Sequence, residues 1–321
     1  MQSKRKRAGW LALPLLVSLG ADAALAQTRS PVPPGKARPS GTTRAREPSA
    51  REMAEQKEKG ERERASRNLS DPVTSPFYFE SPRIATELRA IFLHQQITET
   101  SSLRGRELAY TGGQARLAVT DKLALLLTRA GYVDLNTGAF GEEEGASNLA
   151  IGAKLLLVEG EQFLISGGTR FEFASGDRDA LSGSGDGEWS PFLSMGWYFD
   201  EVDLVSSVTW KLPLDKDAQS TQVHVGVHAD YRLFSWLRPF VEVNIQSIIN
   251  DGKRTNLSEE GFDLFNLGID GTGGNDVVTL AAGARARIWG DLSAGAAFEI
   301  PVTDRKDLLQ QRVVVDLVLG F

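Results

Sequence analysis

The sequence predicts an all-β chain: a transmembrane antiparallel up-and-down β-barrel of about 12 strands, preceded by a signal peptide and a disordered charged segment. Three observations carry this reading. Residues 76–321 alternate apolar with polar or small side chains at a period of two, tight turns alternate with long polar loops, and the last strand runs to a C-terminal phenylalanine. Composition agrees by exclusion. The 321 residues include 32 glycines, three histidines and no cysteine, with a formal net charge of −6. A mean hydropathy of −0.22, with a single long apolar run, excludes a helical membrane bundle. The lack of cysteine excludes disulfides, thiol catalysis, cysteine-ligated zinc and a lipidated N-terminal cysteine. The acidic balance argues against a nucleic-acid partner, which calls for a basic patch.

Residues 1–26 read as a signal peptide. Lys4, Arg5, Lys6 and Arg7 form a basic head, Ala8–Gly20 an apolar core, and Ala24-Leu25-Ala26 a small-residue cleavage site before Gln27. Residues 27–75 then offer little to bury. Pro31, Pro33, Pro34 and Pro39 lead into an Arg-Glu-Lys-rich run, and the segment holds 11 basic and 7 acidic residues. Such a composition does not offset its ordering entropy by burial, so the segment is expected to be disordered, a flexible periplasmic spacer or an arm for a periplasmic partner.

The strands follow in order over 86–97, 110–119, 123–133, 148–158, 162–174, 189–199, 202–212, 222–233, 238–248, 277–288, 292–300 and 312–321. In 148–158, Leu149, Ile151, Ala153, Leu155 and Leu157 form one apolar face. Val223, Val225, Val227, Ala229 and Tyr231 likewise oppose Gln222, His224, Gly226, His228 and Asp230. The second face is small with scattered charges, as in Ala281, Gly283, Arg285, Arg287. That suits the lumen of a narrow barrel better than a solvent face dense in Lys and Glu. Thr120-Asp121-Lys122, Glu159-Gly160-Glu161, Asp200-Glu201, Phe234-Ser235-Trp236 and Gly290-Asp291 are tight turns, whereas 99–107, 134–147, 175–187, 213–221, 249–276 and 302–311 are long polar loops. Short turns on one side and long loops on the other are the outer-membrane pattern. An even strand number returns both barrel ends to the periplasmic side, with the N-terminus there.

Val313, Val315, Leu317, Leu319 and Phe321 alternate along the last strand and form a candidate assembly signal for the barrel-assembly machinery. Phe163, Trp197, Phe199, Tyr231, Phe234, Trp236, Trp289 and Phe321 gather near the short turns, as an interfacial aromatic girdle requires. The expected setting is the outer membrane of a Gram-negative bacterium, against lipid and lipopolysaccharide.

The stretch Asp121–Leu127, the loop through Gly145-Ala146-Ser147-Asn148 into Leu149-Ala150-Ile151-Gly152-Ala153-Lys154, and the strand Phe163–Ser175 resemble the outer-membrane barrels of the MetA-pathway-of-phenol-degradation, transporter-like family. The likeness covers residues 108–321 loosely. Two features depart from it: Ala174-Ser175-Gly176 stands where a Pro-x-Gly ending is common, and the charged N-terminal segment has no counterpart. The resemblance implies passage of a small molecule across the outer membrane and carries no catalytic residues.

The candidate lumen-lining residues are Arg89, Arg116, Lys154, Arg170, Glu172, Asp230, Glu242, Arg285, Arg287, Glu299 and Asp316. They form either a polar constriction that selects solutes or an ion-pair network that fills a narrow barrel. His224 and His228 share the inner face, but four strand residues separate them by about 13 Å, so no metal is expected between them. No serine and histidine stand at a spacing that suggests a hydrolase, so no catalytic residue and no cofactor are expected. The acidic loop runs Glu142-Glu143-Glu144 and Asp270–Asp276 are read as solvated. The functional reading is a barrel that passes or binds a small solute. A non-conducting docking subunit of an envelope-spanning assembly is the alternative, and an outer-membrane lipid-modifying enzyme is third.

Overall fold

The computed structural model describes Ser49 and residues 69–321, apart from 255–258, 272 and 275. Residues 1–26, expected as a signal peptide, and nearly all of 27–68 lie outside the described residues.

Alternation at a period of two gives thirteen strands: β1 (Glu87–Ile97), β2 (Arg106–Thr120), β3 (Leu123–Thr137), β4 (Gly141–Ala146), β5 (Ala150–Glu159), β6 (Phe163–Glu172), β7 (Glu188–Phe199), β8 (Val202–Pro213), β9 (Thr221–Tyr231), β10 (Leu237–Asn250), β11 (Asp276–Trp289), β12 (Leu292–Pro301) and β13 (Gln311–Gly320). Every ladder is antiparallel, and β4 and β5 share one place in the wall. The far half of β3 pairs with β4 (Tyr132↔Ala146) and its near half with β5 (Leu127↔Ile151). The result is a 12-stranded wall. It closes where β1 meets β13, from Glu87↔Gly320 to Gln96↔Gln311. Closure gives β1 and β13 a partner on each side and leaves the short β4, paired only with β3, as the one free strand edge among the described residues.

The outward face is apolar: Leu88, Phe92, Leu125, Ile151, Leu155, Val241, Phe298 and Leu317 are all exposed. Such a belt is stable against hydrocarbon and costly against water. At the short-turn end, Phe199, Tyr231, Phe234, Trp236, Trp289 and Phe321 are exposed together. The inward positions carry polar and charged groups that are nevertheless buried, because the lumen is full.

Residues 69–75, assigned by composition to the disordered segment, are buried together with 76–82 inside the barrel. The packed chain therefore begins at or before Leu69 rather than at Pro76. The physical reason is that these residues find their partners on the wall, not on one another.

One register shift matters for the site. Between Gly113↔Ala130 and Ala115↔Leu127, the two residues Thr128 and Arg129 oppose the single Gln114. This bulge turns both Thr128 and Arg129 inward, with Arg129 at φ 61.

Candidate functional site: an occupied lumen

The chain enters the barrel as a re-entrant loop. Leu69 to Thr74 run inward from the short-turn end, the direction reverses at Ser75–Tyr78, and Phe79 to Pro82 run back to β1. The reversal is fixed by the carbonyl of Ser75, which accepts from the amides of Tyr78 (3.1 Å) and Phe79 (2.9 Å). At the neck Arg83 binds both Asp71 and Glu87. This insert contributes no strand to the sheet, so its backbone groups need other partners. Wall side chains supply them. The amides of Val73 and Thr74 each donate to Glu242 at 2.8 Å. Arg89 donates to the carbonyl of Pro72 (2.8 Å), Gln114 to that of Pro76 (2.6 Å) and Thr209 to that of Tyr78 (2.7 Å).

A second insert comes from the long-loop end. In the β10–β11 connection, Phe262, Leu264, Phe265 and Leu267 are buried in the lumen. Glu260 holds this loop's shape by accepting from the amides of Leu267 (2.7 Å) and Ile269 (3.1 Å) and from the hydroxyl of Ser220 (2.8 Å). Arg312 on β13 ties it to the wall through Asp263 at 2.6 Å and also binds Glu299 on β12. The two inserts meet. Phe77 and Tyr78 pack with Leu264, Phe265 and Leu267 in one buried apolar cluster.

Arg129 joins the inserts. Its guanidinium donates to the Tyr78 hydroxyl (3.1 Å) and to the carbonyl of Leu264, pairs with Glu172 (3.3 Å), and lies 4.6 Å over the Phe77 ring. Strict alternation along β3 puts Arg129 outside, which is why it is absent from the sequence-derived list. A lone arginine beside glycine in Leu125-Leu126-Leu127-Thr128-Arg129-Ala130-Gly131 is the signal that marks it.

Most of the sequence-derived lumen residues are buried and share partners. Asp316 binds Arg89 (2.6 Å) and Arg285 (2.8 Å). His228 lies between Glu242 (2.8 Å) and Asp230 (3.3 Å). Glu80 of the insert gathers Arg116 (2.9 Å), Lys154 (2.9 Å) and Arg170 (3.4 Å). Glu172 accepts from Asn148 at 2.8 Å, and Glu299 is fully buried against Arg312. Arg287 is the exception. It has the inward parity of β11 but stands exposed at the short-turn rim, so it is no part of the buried network with Arg89, Arg116 and Arg285. His224 is away from His228's carboxylates and stacks on Tyr78 at 4.5 Å. Among the described residues, no three His, Asp or Glu side chains converge in a metal-holding arrangement. Val313, Leu317 and Leu319 face outward, and the amide of Phe321 donates to the carbonyl of Thr86 (3.0 Å), where the insert becomes β1.

Among the described residues, open space borders both ends of the lumen. The short-turn mouth holds ≈ 500 Å³, bordered by Asp71, Arg83, Glu87, Arg285 and Arg287. The long-loop end holds ≈ 1020 Å³, bordered by Glu99, Glu259, Asp304, Arg305 and Asp307. Burial pushes the Asp307 carboxyl up to about 6, against the opposing pull of Arg305.

No protein-family model and no curated protein matches the chain, so the likeness to the phenol-degradation barrels rests on the sequence motifs alone. Solved structures do match in fold. The COG4313 outer membrane channel from Pseudomonas putida F1 aligns at a TM-score of 0.51 and 13% identity, over 77% of this chain and 99% of that one. The NanC porin aligns at 0.44 and 8% identity, over 74% and 99%. The KdgM porin, in complex with disordered oligogalacturonate, aligns at 0.45 and 8% identity, over 73% and 99%.

Proposed function

We propose that the chain spans the outer membrane of a Gram-negative bacterium, N-terminus in the periplasm, and passes a small solute, with Leu69–Pro82 as its resting closure. One observation carries this reading: the wall is shaped around a segment that is not hydrogen-bonded into it as a strand. Gly196, Gly226 and Gly295 face the insert so closely that a Cβ would lie 2.8 Å from Leu69, 2.5 Å from Phe79 and 2.8 Å from Val73. A narrow barrel closed by its own wall fills its interior with large inward side chains. Here the wall recedes, and the filling is attached to the sheet at β1, so its withdrawal through the short-turn mouth breaks no ladder. The likeness in fold to an outer membrane channel supports the same reading. Arg89, Arg116, Lys154, Arg170 and their partner carboxylates then line the path. The surroundings are lipid and lipopolysaccharide, with the barrel-assembly machinery acting on the last strand and residues 27–68 available to a periplasmic partner.

The chain has no cysteine, which makes the test clean. Asn244 Nδ2 donates to Thr74 Oγ1 at 2.8 Å, so Thr74→Cys with Asn244→Cys places two thiols on facing positions of insert and wall, and free-thiol titration reads whether oxidation joins them. In planar bilayers the oxidised protein should be silent and the reduced protein should conduct. A second reading, a non-conducting docking subunit, is favoured by the completeness of the closure from both ends. Absence of current in wild-type and reduced protein, together with absence of solute uptake in liposomes, would establish that second reading instead.

A further inference from the structure

The charges on the wall are unevenly neutralised. Arg116 has a wall carboxylate, Glu87, as well as Glu80. Lys154 does not. Its ammonium is fully buried, and its two oxygen partners, Glu80 Oε1 at 2.9 Å and the carbonyl of Ser81 at 2.7 Å, both belong to the insert. Arg170 pairs with Glu80 through Nη1, lies 4.9 Å over the Phe192 ring, and keeps a buried Nη2 with no hydrogen-bond partner. The wall from β2 to β6 therefore carries a cationic excess that Glu80 neutralises in this state.

The arrangement is matched to a planar carboxylate. Arg116 Nε donates to Oε1 (2.9 Å) and its Nη2 to Oε2 (3.3 Å), a two-pronged contact in which both carboxylate oxygens are used. Lys154 adds a second donor on Oε1 and Arg170 one on Oε2. The backbone makes room for this. Gly152 stands opposite Arg170, where a Cβ would lie 2.7 Å from its Cγ, so glycine lets that side chain run along the wall. Lys154 has no wall carboxylate partner, and Arg170 has only Glu172, two residues along β6 and shared with Arg129, so both cations are costly once the insert leaves unless another anion takes its place.

The geometry points to a carboxylate-binding site formed by Arg116, Lys154 and Arg170, filled at rest by Glu80 and taken by the carboxylate of a small organic anion when the insert withdraws. The site makes the solute class anionic, and this last step rests on the reading of the barrel as a solute passage. Glu80 then acts as an internal competitor: the solute's carboxylate releases the insert by replacing the group that holds it.

The test uses the full mature chain with Glu80→Ala, which removes the carboxylate and leaves its space between the three cations. Sodium formate, the smallest carboxylate, is compared with sodium chloride at equal ionic strength. Thermal unfolding of the detergent-folded E80A protein should shift upward with formate and saturate, with no such shift in chloride. Wild-type protein, whose site is filled, should not respond, and E80A combined with Lys154→Met should lose the response. Should E80A refold poorly, the yield of heat-modifiable folded barrel in formate against chloride reads the same property. Equal behaviour in the two salts overturns the proposal and leaves the three cations as structural partners of Glu80. Bilayer recording of E80A separates the two readings. A formate response without current keeps the site and removes the passage, whereas current without a formate response keeps the passage and removes the site.

Discussion

The two segments that fill the lumen are held in opposite ways. The loop of residues 259–270 is anchored at both ends, to β10 and β11, and Glu260 binds the loop's own amides, while Asp263 with Arg312 and Asn266 with Glu188 and Ser220 fix it to the wall. The insert of residues 69–82 has few internal bonds and takes its order from the wall, through Glu242, Arg89, Gln114, Thr209 and the cations around Glu80. A segment ordered by its surroundings is released when those contacts are replaced, whereas one ordered by itself moves as a unit or not at all. The contrast makes the N-terminal insert the first closure to yield and the loop the more firmly held one, with Arg129 touching both.

The largest expected effect falls at the seam beneath the movable insert. Phe321 binds Thr86 at the point where the insert becomes β1. Its deletion should remove most of the folded, heat-modifiable protein from the membrane fraction, and normal yield would show that the last residue carries no assembly information. Next is Arg312→Ala, which strands Asp263 and Glu299 without their counter-ion. Loss of one partner of a buried ionic cluster costs about 3–5 kcal/mol, read as a lower midpoint in urea unfolding of the detergent-folded barrel. An unchanged midpoint would break the claim that the loop is the more firmly held element.

Gly226→Ala addresses the movable one. A Cβ there would lie 2.5 Å from the Phe79 ring, and overpacking of this kind costs about 1–3 kcal/mol. Because the insert can yield where the sheet cannot, the barrel should stay folded while protease cuts between Leu69 and Pro82. In the wild-type protein, protease should stop before Leu69. Cleavage of the insert at equal rates in both proteins would remove the distinction between the two segments.

The smallest effect is a pH dependence at the long-loop end. The folded Asp307 carboxyl, raised to about 6 from 3.8, favours its protonated form. Its contribution to stability is present below pH 4 and is lost as pH rises through about 6. Asp307→Asn should therefore stabilise the protein above pH 7 and have little effect below pH 4. A pH-independent difference between the two proteins would place the titration elsewhere.

Most of the wall was legible in the sequence, but the polar run 134–147, expected as a loop, carries the end of β3 and all of β4, because polar inward and rim positions extend strands past the apolar belt. The sequence-derived ranges 202–212 and 292–300 differ from β8 and β12 by a single residue at one end, because a strand between two unlike environments must alternate and its turns must be polar or glycine-rich. Reading failed where a local event broke the alternation or the strand ran past the wall. The bulge at Thr128 and Arg129 reversed parity within β3 and hid an inward arginine. Arg287 kept the right parity but stood beyond the buried zone, since alternation gives the face of a residue and not its depth.

Period two, loop asymmetry and an outward apolar face were properties of the sequence by itself, because each is set by neighbours two residues away or by the next turn. What fills the lumen was decided by the tertiary structure alone. Residues 69–82 have no periodicity of two, and their stability comes from groups far along the chain, as in the bonds from Val73 and Thr74 to Glu242, 169 and 168 residues distant. The free energy of burying such a segment belongs to the closed wall around it, and until the wall closes, Glu80 and Lys154 are two ordinary charges 74 residues apart.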